Sequence, residues 1–251
     1  MNILGISAGF HDAAASVVSD SGDILFAGHS ERYSKRKNDS HFCQRLVDEI
    51  LTYAPSRVAY YERPWSKQLR RWYSGEGIEW NKITVKQIIK QQTGGWFLDL
   101  KSTGYNHHLC HAAAGFQTSP FNRATVVVID AIGEWDTVSI WGAEYKNGRA
   151  KYKKLWGQRY PHSIGLFYSA MTERVGLKPN DEEYILMGMA AYGDRGFGAL
   201  LQQDHISHEY EIQFKDNFHT GISASYLNHI NNEDLAAGDR KSTRLNSSHG
   251  Y

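Results

Sequence analysis

The chain has 251 residues, 41% of them hydrophobic and 13% aromatic, enough to bury a core in one large domain or two small ones. Lys and Arg number 28 against 27 for Asp and Glu; a net charge of +1 gives no reason to expect nucleic acid or an anionic membrane as partner. The two cysteines, Cys43 and Cys110, match neither a disulfide scaffold nor a metal ribbon. The opening MNILGISAGF lacks the features of a signal peptide and no run is apolar for long enough to cross a bilayer, so a soluble, cytoplasmic protein is expected.

In chain order, Asn2 to Ser7 is an apolar run stopped by Ala8-Gly9. Ala13 to Val18 and Ile24 to Ala27 follow, separated by the turn residues Ser19 to Asp23, and the three together predict a meander. The basic run Arg32 to Lys37 reads as a solvated loop, in which Lys37 is a candidate phosphate contact. Phe42, Leu46, Ile50 and Leu51 have helical spacing over Phe42 to Tyr53, and Arg57 to Tyr61 is a further strand candidate. The order then restarts. Thr125 to Asp130 is an apolar run ended by Ala131-Ile132-Gly133, Asp136 to Ala143 alternates as a strand does, and Ala150 to Trp156 follows the turn Lys146-Asn147-Gly148. Ile164 to Val175 predicts a helix that Gly176 ends.

A strand, strand, strand, helix unit used twice fits an α/β fold of actin-like type, with mixed sheets in two ribonuclease-H-like halves and a nucleotide cleft between them. Residues 1–123 form the first expected half and 124–238 the start of an incomplete second half. From Asn231 the chain turns polar and aperiodic, so no apolar face is expected there, and residues 239–251 resemble translated adapter sequence, a non-native tail. Gly9 and Gly133 close the first turn of each half and are candidates to let backbone amides approach a phosphate; turn geometry alone is the competing explanation.

Asn106 to Phe116 reads NHHLCHAAAGF. On a helix, His107 and His111 project from one face one turn apart and can chelate one cation, whereas His108 points elsewhere. The spacing does not name the ion, and a histidine cluster stacked in a core is the alternative. Asp130, at the end of the next predicted strand, is the candidate oxygen ligand; mixed His and Asp ligation admits iron, zinc or manganese. His11, in the loop after Gly9, is a candidate general base on a substrate hydroxyl, since imidazole ordinarily titrates near neutrality.

Together ILGISAGFHDAAASVV, YYERP, NHHLCHAAAGF, VVVIDAIGEWDT and EEYILMGMAAYGD resemble the NodU/TobZ-type O-carbamoyltransferases over about residues 1 to 238. The resemblance implies an amino-terminal domain that transfers a carbamoyl group from carbamoyl-adenylate to a hydroxyl of a small-molecule or oligosaccharide acceptor. A carboxy-terminal YrdC-like domain, absent from this sequence, would make the carbamoyl-adenylate from carbamoyl phosphate and ATP. It implies His107, His111 and Asp130 as metal ligands, iron(II) as the metal, a further aspartate ligand beyond this sequence, and His11 as the base. Other readings compete, among them a zinc hydrolase, against which His108 stands where His-Glu-x-x-His has its glutamate. A tRNA threonylcarbamoyl-transfer protein would want a basic surface. A plain kinase or ATPase would hold magnesium through carboxylates. The last is an inactive fragment that only binds metal or a partner.

Overall fold

The computed structural model describes residues 1–9, 12–207, 213–223 and 225–248, with side chains to residue 240. The chain divides into two compact units, residues 1–118 and 119–251.

The first unit opens with β1 (Ile3–Ser7), β2 (Ala14–Val18) and β3 (Ile24–His29), followed by α1 (Ser30–Ser34), α2 (Gln44–Thr52), β4 (Arg57–Tyr60) and α3 (Pro64–Tyr73). It ends with α4 (Val85–Gln92), β5 (Lys101–Gly104) and α5 (His107–Gln117). The expected meander is present: β1 pairs antiparallel with β2, and β2 with β3. β4 then joins β1 in parallel and β5 joins β4, giving the order β3-β2-β1-β4-β5. This is the mixed sheet of a ribonuclease-H-like half. Alternation places Leu4 and Ile6 of β1 and Ala15 and Val17 of β2 in the core, where α2 adds Leu46, Val47 and Ile50. The helix starts at Gln44, later than its apolar spacing predicted; Val47 faces inward, whereas Leu51 is 39% exposed. Part of the basic run also differs from the expected loop, since Arg32, Tyr33 and Ser34 belong to α1.

The second unit repeats the order as β6 (Arg123–Gly133), β7 (Asp136–Lys146), β8 (Arg149–Arg159) and α6 (Ile164–Arg174), with an antiparallel sheet β6-β7-β8. Gly176 ends α6 as predicted, with φ of 85° and its N–H donated to the Glu173 carbonyl. The fold is therefore α/β and actin-like in its doubled unit. The counterpart of central β1 is β6, which lies at a sheet edge and leaves Val127 and Ile129 more than half exposed.

α7 (Glu183–Met189), α8 (Gly198–His205) and α9 (Asn232–Ser248) complete the unit. α9 corrects the expectation that nothing after Asn231 packs: Leu235, Ala236 and Ala237 are buried in the second core with Phe167, Met171, Leu186 and Leu201. Asp239, in the same helix, is fully buried, and burial pushes its carboxyl well above the usual carboxylate range. A carboxyl raised in the folded state contributes stability below its unfolded pKa and loses it as pH rises through the folded value. Asp239→Asn is therefore expected to raise the thermal midpoint at neutral pH, with the gain vanishing near pH 3. Thermal melts of both proteins across that range check it.

Among the described residues no helix is long and apolar enough to cross a membrane. Among the described residues neither Cys43 nor Cys110 is in a disulfide.

Candidate metal centre

The start of α5 is fixed by Asn106, whose side-chain oxygen accepts the Leu109 N–H at 2.9 Å. His108, Ala112 and Phe116, spaced by four, are buried and seat the helix. The stripe one residue earlier holds His107, half-buried, and His111, exposed. Their Nε2 atoms are 2.9 Å apart and their ring centroids 4.7 Å. The Tyr61 ring meets His107 edge-on at 5.2 Å and limits its rotation. Two arrangements satisfy such a spacing: one Nε2–H donates to the other nitrogen, or both lone pairs face one cation. With metal–nitrogen bonds of about 2.1 Å, the second arrangement subtends an angle of about 90° at the ion. The helix thus brings together the two histidines that the sequence singled out.

Asp130 belongs to the second unit. β6 does not end there, as the sequence predicted, but runs on to Gly133 through a bulge between Ile129 and Gly133, so the carboxylate sits in an irregular stretch of strand. Its Oδ1 accepts the Ala131 N–H at 2.7 Å. Two residues that the sequence reading missed hold this stretch. The Ser163 hydroxyl donates to the Ala131 carbonyl at 2.6 Å, with the Asp130 carbonyl at 3.3 Å, and accepts the Leu166 N–H at the start of α6. Gly165 lies so close to the strand that an added Cβ would fall 2.7 Å from the Ala131 Cα. The available signal was a serine three residues before the apolar face of a helix. Gly165→Ala is expected to cost about 1–3 kcal/mol, since backbone must shift, and chemical denaturation measures it.

Gly9 has a φ of 91°, which accounts for glycine at that turn. Its N–H donates to the Ser40 carbonyl at 3.2 Å, and the Gln92 side-chain nitrogen lies 3.3 Å from where a Cβ would stand, so the amide is engaged and the space beside it is filled. Gly133 is buried inside β6 opposite Asp136; the left-handed residue of the turn is Glu134, with a φ of 61°. The turn-glycine argument that holds at Gly9 therefore fails at Gly133. Lys37 is exposed in the segment after α1, just before Asp39 and Ser40, whose carbonyls receive the Ala13 and Gly9 amides. His11 lies outside the described residues. Its flanks are anchored by those two bonds and by the Tyr60 hydroxyl, which donates to the Ala8 carbonyl at 3.0 Å.

A mixed sheet in the order β3-β2-β1-β4-β5, a second unit that repeats its meander and helix, and a histidine pair spaced to chelate define an actin-like protein with a candidate metal centre. The profile of the carbamoyltransferase N-terminus family matches residues 75–240, a stretch that contains His107, His111, Asp130 and Gly133. The chain belongs to that family. It is 31% identical over 269 residues to an uncharacterised protein of Synechocystis sp., an alignment covering 96% of this chain and 43% of that protein. It is 27% identical over 196 residues to the nodulation protein NolNO of Sinorhizobium fredii, covering 73% and 28% respectively. The chain thus spans less than half the length of these relatives. Among solved structures, a Listeria monocytogenes protein described as an N-acetylmannosamine kinase aligns with a TM-score of 0.37 at 12% identity, covering 81% of this chain and 75% of its own. The strand order, not this slight likeness, carries the fold assignment.

Proposed function

We propose that the chain is the carbamoyl-transfer part of an O-carbamoyltransferase, moving a carbamoyl group from carbamoyl-adenylate to a hydroxyl of a small molecule or oligosaccharide. Membership of the carbamoyltransferase N-terminus family carries this reading, and the 2.9 Å spacing of the His107 and His111 nitrogens supports a resident cation. In this reading Asp130 supplies an oxygen ligand. An angle of about 90° between two imidazoles suits octahedral iron(II) or manganese better than a tetrahedral zinc site. The cation would supply positive charge near the departing phosphate.

The transfer balances simply. The acceptor oxygen forms a bond to the carbamoyl carbon, the bond from that carbon to the adenylate phosphate oxygen breaks, and AMP leaves with the electron pair. His11 takes the proton of the acceptor hydroxyl. Lys37 meets the phosphate with its charge beside the turn at Gly9, and the task of that turn includes keeping water from the mixed anhydride. ATP and carbamoyl phosphate enter earlier, as substrates of a YrdC-like domain in the full-length protein.

The test is single-turnover transfer from synthetic carbamoyl-adenylate to a panel of hydroxyl acceptors, using this chain joined to a YrdC-like domain. A carbamate ester formed together with AMP is expected. AMP release without any ester, across sugar and aminoglycoside acceptors alike, would overturn the reading.

A further inference from the structure

A second group of metal-ligating side chains lies wholly within the first unit and apart from the histidine pair. Asp12 precedes β2, His29 ends β3, and Glu31 stands in the first turn of α1; one ligand atom from each lies within 4.8 Å of the others. The backbone fixes all three positions. Ala14 pairs with His29 in the ladder, and the Ser30 N–H donates to the Ala13 carbonyl at 2.7 Å, so the start of β2 and the start of α1 are tied together. The Ala13 N–H is in turn bound by the Asp39 carbonyl at 2.7 Å.

The polar atoms here have gone unanswered. Asp12 Oδ1 and His29 Nδ1 are closed off from solvent and have no hydrogen-bond partner. Buried polar atoms without partners are uncommon, and each calls for an explanation such as a missing ion. Glu31 precedes the densest basic run of the chain, Arg32 to Lys37, yet among the described residues neither it nor Asp12 takes part in an ion pair. Two carboxylates and an imidazole, half-buried and held rigid without a counter-charge, lack a cation of about their own total charge.

We propose that Asp12, His29 and Glu31 bind a divalent metal ion, separate from the His107 and His111 centre. One nitrogen and two carboxylate donors suit manganese(II), which accepts oxygen-rich octahedral shells and tolerates an imidazole. The three donors leave positions open for water or a substrate oxygen. The site joins the beginning of β2 to the beginning of α1, and it is next in sequence to His11. A bound ion there would fix the carboxyl side of that loop and place positive charge beside it. The geometry stands whether or not the carbamoyl-transfer reading is correct.

The test uses the whole chain carrying His107→Ala and His111→Ala, so that the other centre is removed, titrated with manganese(II) and followed by the loss of the free-ion resonance signal. One bound ion per chain is expected, with affinity falling at least tenfold on Asp12→Asn or Glu31→Gln. Pulsed resonance should detect an imidazole nitrogen on the bound ion, and His29→Gln should erase that coupling while the far-ultraviolet spectrum stays unchanged. No bound manganese in the His107→Ala, His111→Ala chain would overturn the proposal, as would a nitrogen coupling that survives His29→Gln.

Discussion

In a chain carrying Glu31→Gln to silence the second proposed site, replacing both His107 and His111 with alanine is expected to weaken binding of iron(II) or its surrogate cobalt(II) by more than about 100-fold, since loss of mere outer partners of a metal ligand already costs 10–100-fold. The fold should survive. Neither side chain belongs to the buried stripe of α5, which is His108, Ala112 and Phe116, and alanine is the strongest helix former. A thermal midpoint near that of the parent chain, with metal binding gone, separates the loss of a ligand from the loss of structure. Each single variant should fall between the two, because one imidazole still offers a donor while the chelate is broken. Equilibrium titration under anaerobic conditions measures the effect.

The second large effect is expected at His11. His11→Ala in the chain joined to a YrdC-like domain should slow single-turnover transfer by about 10²–10⁴, the usual contribution of a positioned general base. Iron held by the histidine pair should be unchanged, because the ligands proposed for that centre lie on α5 and β6, far along the chain. A shift in the pH dependence would mark the role as proton removal: the parent rate should fall as an imidazole is protonated, and the variant rate should lose that limb. Transfer by His11→Ala at the parent rate would remove His11 from the mechanism and leave the metal centre standing.

These expectations began with residues whose chemistry is visible in a linear sequence, and the parts that were not visible have identifiable causes. The strands of the first meander could be read because one face of each is apolar and the other is not, as in β1 with Leu4 and Ile6 inward. β5 could not: its sequence is Lys101-Ser102-Thr103-Gly104, and it pairs at the sheet edge through backbone alone. α3 was hidden for the opposite reason, since its buried residues include Ser66, Gln68 and Arg70, while Trp65 and Trp72 face solvent. Arg70 can be buried there because Glu76 accepts its guanidinium. α9 buries three consecutive small or medium apolar residues, Leu235 to Ala237, a pattern with no helical period.

At the candidate site the same division holds. His107 and His111 announce themselves through their spacing, and the helix delivers it. The bulge that carries β6 past Asp130 to Gly133 depends on contacts from α6, more than thirty residues later in sequence, which no local pattern contains. Gly133 attracted notice as a turn glycine, but the turn places its left-handed backbone on Glu134, buried at 3% exposure. Asp12, His29 and Glu31 carry no recognisable spacing at all, because only the pairing of β2 with β3 sets them side by side.

X-ray absorption at the iron edge most directly tests the chelating pair, with Glu31→Gln introduced to silence the second proposed site and iron(II) loaded at one ion per chain. An ion with two imidazoles in its shell, losing them on His107→Ala and His111→Ala, is the predicted result. An iron spectrum without imidazole scattering, or one that the double substitution leaves unaltered, would contradict the account.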